Sequence, residues 1–139
     1  MQFAGMNYLA IVAAAIAGFL FGSIWYGSLG TAWMQALGKT KDELMPGGKP
    51  TPGPFVVAAV SNLVMAYVLA GVIGHLGPGQ VTARNGFISA LFVFVGFVAT
   101  TLATNHAFQG AKRSLTLIDG GHWLGVLLIQ GLVIGLFGV

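Results

Sequence analysis

Between Asn7 and Phe137 the sequence passes through four apolar runs, each about twenty residues or longer, separated by short polar or turn-forming stretches. At about 1.5 Å of rise per residue, roughly 20 apolar residues in a helix cross the ~30 Å hydrocarbon layer of a bilayer. Lipid offers no hydrogen-bond partner to a backbone, and an α-helix satisfies its own groups within one segment. The expected fold is therefore all-α: an integral membrane four-helix bundle with four transmembrane spans, arranged as two antiparallel hairpins.

Composition agrees. Only 6% of the 139 residues are charged and 56% are hydrophobic, whereas a soluble domain carries about 25% charged residues to cover its surface. The formal net charge of +3 rests on six cations scattered through the loops. That is no basic stripe for phosphate binding, so no nucleic-acid partner is expected; in a membrane protein such cations set orientation instead. The absence of cysteine excludes disulfides, thiolate metal sites and thiol catalysis. No Lys or Arg precedes the first apolar run, and a cleavable secretory signal wants a positive start, so this run is read as a retained span.

The chain reads as one membrane domain, 1–139, with spans at about 7–27, 54–76, 82–108 and 115–137. The first can continue through "TAWMQALG" to Leu37. Asn7 and Ser114 are candidate helix caps and Pro54 suits a first helical turn. The one long connection, 38–53, holds five of the nine charged residues and can open with a helical turn through "KDEL". It shares a side with the loop bearing Lys112 and Arg113, while the opposite side has only Arg84. The excess of cations expects loops one and three in the cytoplasm and both termini in the periplasm of an inner-membrane protein.

Small residues recur four apart: Gly18 and Gly22 (with Ala14) in the first span, then Gly121 and Gly125, and Gly131 and Gly135, in the fourth. Such stripes let membrane helices approach closely. They serve packing inside one bundle, or a face shared with a second copy or another membrane protein.

Polar side chains are rare enough to be examined singly. In alternating spans, Thr101, Asn105 and His106 fall toward the cytoplasmic end of the third, and Asp119 and His122 in the first turns of the fourth. Asn62 and Tyr26 are expected at comparable depth, so the set predicts one polar layer. Trp25 and Tyr26 also suit an interfacial aromatic belt, the threonines can bond back to the preceding turn, and Asn62 and Gln130 can join helices. Asp119 is the only carboxylate within an apolar run. A carboxylate at the bilayer centre costs roughly 2.5–3.5 kcal/mol, of which its helix N-terminus offsets about 0.3–1 kcal/mol. Asp119 therefore anchors the fourth span, or serves a pocket with Asn62, Asn105, Thr101 and Tyr26. It lies three residues from His122, on the same helix face, where a carboxylate can hold an imidazole in one tautomer, as a proton relay requires. His106, Asp119 and His122 are also weak candidates for an open metal site, and the two histidines for haem.

The segments "IWYGSLGTAWMQALG", "GFVATTLATNHAFQG" and "LIDGGHWLGVLL" resemble the bacterial membrane proteins grouped as domain of unknown function 1761. The most specific pieces are Trp25-Tyr26 followed by Ala32-Trp33-Met34, Asn105 with Phe108 and Gly110, and His122. That family's pattern resembles N-x-x-F-x-G-[R/K]; here Ala111 intervenes between Gly110 and Lys112. The resemblance implies four spans and no assigned activity, substrate or cofactor. The expectation is a non-enzymatic protein without a cofactor, in the bilayer and in company with itself or a membrane partner. It is an oligomeric transporter or channel-like protein with a polar site near the cytoplasmic face, or else an accessory or scaffold subunit; a His/Asp metal or haem site comes third.

Overall fold

The computed structural model describes residues 1–139, and every regular element in it is helical. Helix α1, Tyr8–Ser28, starts where the Asn7 side chain accepts a hydrogen bond from the Ala10 amide at 3.1 Å. It ends at Leu29, whose backbone leaves the helical region (φ −104°, ψ 14°). The chain restarts as a separate helix α2, Gly30–Leu37, so the first span does not run on through "TAWMQALG". Gly38, at φ 68°, closes α2 in the left-handed conformation that favours glycine. A single helical turn, α3 (Lys41–Leu44), follows, with the Thr40 hydroxyl accepting from the Glu43 amide.

Helix α4, Pro52–Gly74, begins two residues before Pro54, because Pro52 already fills the first helical turn. Helix α5, Ala83–Val93, is capped by Thr82 and continues through a widened π-helical turn, Phe94–Ala99, into α6, Thr100–Gln109. Hydropathy does not signal that turn. Helix α7 covers Arg113–Phe137, with Lys112 rather than Ser114 at the capping position and no side-chain cap bond there. Four helical stretches are long and apolar enough to cross a membrane: Tyr8–Ser28, Pro52–Gly74, Ala83–Gln109 and Arg113–Phe137.

Helix α7 is the hub. Of its most apolar stretch 39% is buried, against 11% for Ala83–Gln109, so α7 sits among the other helices and α5–α6 lies against one side of it. Residues pair in opposite order along α1 and α7: Asn7 hydrogen-bonds the Gly138 carbonyl at 3.2 Å, and Trp25 that of Ile118 at 2.9 Å. The order also reverses between α1 and α4, where the Ala4 amide reaches the Gly74 carbonyl at 3.0 Å and Gly18 lies against Asn62. At one end, called here the terminal end, both chain termini meet the α4–α5 turn. At the other, the loop end, Lys112 donates to the Gln35 carbonyl at 3.1 Å and joins the α6–α7 turn to the end of α2.

The core sits toward the terminal end, around Ile11, Ala14, Ala66, Ile73, Leu127 and Ile134. There the backbones of α5 and α7 touch: a Cβ on Gly86 would overlap the Gly131 carbonyl, and one on Gly131 the Gly86 carbonyl. Gly135 lies as closely against the Thr82 backbone. Apolar side chains cover the outside as well, Phe92, Phe97 and Phe108 among them, as on a surface that meets lipid.

Candidate functional site

Beyond Gly18 and Asn62, toward the loop end, a cleft opens between α1 and α4. Its walls are Phe19, Gly22, Ser23, Tyr26 and Gly27 of α1 and Phe55, Ala58, Ser61 and Asn62 of α4. Trp33 and Met34 of α2 and Met45 cover it at the loop end, and His122 and Trp123 of α7 form its back. The cleft encloses about 760 Å³, within the roughly 300–1,000 Å³ of small-molecule sites. Local sequence explains its roof. The break at Leu29 lets α2 turn, and Trp33, Met34 and Leu37 recur at helical spacing, giving α2 one apolar face.

His122 is 8% exposed. Its ring packs against Tyr26 (centroids 4.9 Å apart) and Trp123 (4.4 Å), and its Nε2 fills the space that the absent side chain of Gly22 leaves. Its Nδ1 is buried without a hydrogen-bond partner. A buried polar atom left unpaired costs about 1–3 kcal/mol, so this nitrogen needs a reason to be there.

Behind Tyr26 lies a second polar group of side chains. The Tyr26 hydroxyl donates to Asp119 Oδ1 at 2.6 Å, and Asp119 Oδ2 lies 3.9 Å from His106 Nε2. His106 Nδ1 in turn lies 2.8 Å from the Thr116 hydroxyl. The chain of contacts thus runs from α6 through α7 to the wall of the cleft on α1. Deeper in the bundle, Gln130 Nε2 donates to the Asn62 carbonyl at 3.0 Å and to its Oδ1 at 3.3 Å, while Gln130 Oε1 has no partner. Gly18 makes that pairing possible, since its missing Cβ would overlap Asn62 Oδ1.

Of the side chains expected to form one polar layer, Tyr26, Asn62 and His122 do line a common cleft. Asp119 hydrogen-bonds Tyr26 and not His122. Thr101 bonds back to the Phe97 carbonyl, and both Thr101 and Asn105 are exposed on α6, outside the cleft. The polar residues form a ladder rather than a layer. Tyr26 and Gly18, which face Asp119 and Asn62 respectively, are eight residues apart on α1, about 12 Å along a helix axis. His106, Asp119 and His122 make no metal cluster, for no three His, Asp or Glu side chains come together. His106 and Asp119 face each other while His122 packs against Gly22 and the aromatic rings. Trp25 donates to the Ile118 carbonyl of α7 and packs over Gly121.

Among the glycines of the two stripes, Gly22 faces His122, Gly121 faces Trp25, Gly125 faces the Phe21 ring and Gly131 faces Gly86. Sequence reasoning passed over Trp33, Met34 and Trp123 as part of a site, and also the His106–Thr116 contact. The Trp33-Met34 pair, one turn before Leu37 and just after a glycine, was the available signal.

Fold and cleft together define the class: a bundle whose four long apolar helices fit a membrane protein, with a cleft of small-molecule size. The chain belongs to the family described as protein of unknown function DUF1761, whose pattern matches residues 9–135. No curated protein and no solved structure matches it.

Proposed function

We propose that this protein is a small, non-enzymatic transporter of the bacterial inner membrane that takes its ligand in the cleft between α1 and α4. The observation that carries the reading is the cleft itself, about 760 Å³ in volume and walled by α1, α2, α4 and α7. A bundle with only a packing role would close these helices at the loop end as it does at the terminal end. The cations support the orientation. Lys39, Lys41, Lys49, Lys112 and Arg113 belong to the loop end and only Arg84 to the terminal end, which directs the cleft to the cytoplasm and both termini to the periplasm. In the bilayer the four spans then form two antiparallel hairpins, in an inward-open state.

The face of Ala83–Gln109 turned away from α7 favours a second reading. Only 11% of that stretch is buried, and its outer side carries Asn105 and Thr101 beside phenylalanines. A second copy, or a membrane partner for which this chain is a scaffold, would cover it.

Because the chain has no cysteine, a single introduced thiol reports without background. Ser61→Cys, in the cleft, is expected to react rapidly with a membrane-impermeant maleimide in inside-out vesicles and slowly, but measurably, from the periplasmic side as the bundle alternates. Labelling from the cytoplasmic side alone overturns the transport reading in favour of the scaffold. Faster labelling from the periplasmic side overturns the orientation. The mass of the protein extracted in native lipid particles separates self-association from a hetero-complex.

A further inference from the structure

The side chains that line the cleft name the chemistry of what it holds. No Lys, Arg, Asp or Glu is among them; Asp119, the nearest carboxylate in the hydrogen-bond pattern, lies behind Tyr26 with Oδ1 already engaged. The walls are instead aromatic rings and thioethers: Phe19, Trp33, Phe55, Trp123, Met34 and Met45. An ion in such a site would lose its hydration with no countercharge in return, which costs several kcal/mol, more than the roughly 0.5–2 kcal/mol that an aromatic face returns to a cation. The site also has one polar feature that the protein leaves unfinished. His122, 8% exposed, lines the cleft with Nδ1 unpartnered. The protein itself shields that nitrogen, and a neutral imidazole can serve either as donor or as acceptor by choice of tautomer, so a turn of the ring that brings a nitrogen to the cleft would answer a hydroxyl or a carbonyl equally well.

We infer that the cleft binds a neutral amphiphile drawn from the lipid phase, its apolar body between the aromatic rings and its single hydroxyl or carbonyl group on His122. This rests on the reading of the cleft as a ligand site and adds to it the ligand's charge, polarity and point of attachment. The volume, about 760 Å³, admits a drug-sized body rather than a two-chain lipid.

The test uses energy transfer from the cleft tryptophans, Trp33 and Trp123, to four pyrene probes on one butyl chain: the alcohol, the unsubstituted hydrocarbon, the carboxylate and the trimethylammonium. The purified full chain is held in nanodiscs. Gly27→Leu supplies the control: Gly27 lines the cleft, and a Cβ there meets nothing within 4 Å, so leucine takes up part of the cleft without disturbing the bundle. The alcohol is expected to bind saturably in the wild type and clearly more weakly in Gly27→Leu, with the two charged probes at least about a hundredfold weaker than the alcohol in the wild type. His122→Leu is expected to weaken the alcohol by about three- to tenfold, the worth of one hydrogen bond, and to leave the hydrocarbon unchanged. A structural role for His122 would move both probes together, and that outcome overturns its assignment. A charged probe that matches or exceeds the alcohol overturns the ligand class but leaves the cleft as a site. Binding of all probes that is indifferent to Gly27→Leu removes the cleft itself, and the transport reading with it.

Discussion

The two ends of this bundle are built on opposite terms. At the terminal end α5 and α7 meet backbone to backbone at Gly86 and Gly131, and the segment before α1 folds over α4, with Phe3 against Gly74 and its ring 5.0 Å from that of His75. At the loop end α1 packs on α7, with Gly121 under Trp25, but α1 and α4 stand apart across the cleft. Gly27 and Gly30 have nothing within 4 Å of where a side chain would start. Helix glycines thus have two uses in one molecule: some admit a neighbouring helix, others leave room that no protein atom fills. The glycines of the four-residue stripes all meet a neighbour, and the open positions, Gly27 and Gly30, lie outside the stripes.

The sharpest way to break that contrast is to make the same substitution at both ends. Gly131→Leu forces a branched side chain into the Gly86 carbonyl, which neither helix can avoid without moving apart. Overpacking of this kind costs typically 1–3 kcal/mol and more where backbone is the obstacle, so about 3 kcal/mol or greater is expected, read as a large fall in unfolding midpoint in mild detergent. Gly27→Leu is expected to leave the midpoint unchanged or to raise it, since leucine is the better helix former by about 0.8 kcal/mol. Equal losses at the two positions would mean that the loop end is as closed as the terminal end, and the cleft an illusion of the free chain.

Hydropathy alone made much of the fold legible. Four apolar runs reappear as four long helices, and the ends marked by Asn7 and Gly110 have plain local causes, a side-chain cap and a left-handed glycine. The sequence was less informative where tertiary geometry decides. The break at Leu29 involves neither proline nor a positive φ, so nothing in "GSLGTAW" announces that α2 will turn. The site was legible only in outline. Tyr26, Asn62 and His122 stood out because polar groups are scarce, but their depth depends on which helix each one faces, and rotation about a helix axis is set by packing. Asn105 was grouped with them by level and lies outside because α6 presents it to the surroundings.

A smaller effect is expected from the polar contacts that hold the loop end together around its cleft. Tyr26→Phe removes the hydroxyl that donates to Asp119 at 2.6 Å and leaves that carboxylate only His106, at 3.9 Å. A hydrogen bond to a carboxylate is worth about 1.5–3 kcal/mol, and the fall in stability is expected in that range. Asp119→Asn keeps an acceptor for the tyrosine and is expected to cost less. The double variant Tyr26→Phe with Asp119→Leu should be no worse than the single tyrosine change, because no orphaned carboxylate remains. A double variant that loses the sum of Tyr26→Phe and Asp119→Leu made singly would show that the two side chains act independently, and that the loop end is held by something other than this bond.

The smallest effect is expected at the boundary between the two ends, where Gln130 meets Asn62. Two terms oppose each other there. Gln130→Leu loses the bonds from Nε2 to the Asn62 carbonyl and to its Oδ1, at 3.0 and 3.3 Å, and hydrogen bonds between membrane helices average about 0.6 kcal/mol each, rarely beyond 1.7. The same change removes the buried, unpartnered Oε1 but orphans Asn62 Oδ1, buried and with no other donor, so these two penalties of about 1–3 kcal/mol each cancel. The sum is then the two lost bonds, about 1 kcal/mol, so the unfolding midpoint of Gln130→Leu should fall only slightly below that of the wild type. A loss approaching that of Tyr26→Phe would require that Oε1 be satisfied after all, by water reaching the depth of Gly18. The closed half of the bundle would then begin nearer the terminal end than Gly18, and water as well as ligand would have a place in the cleft.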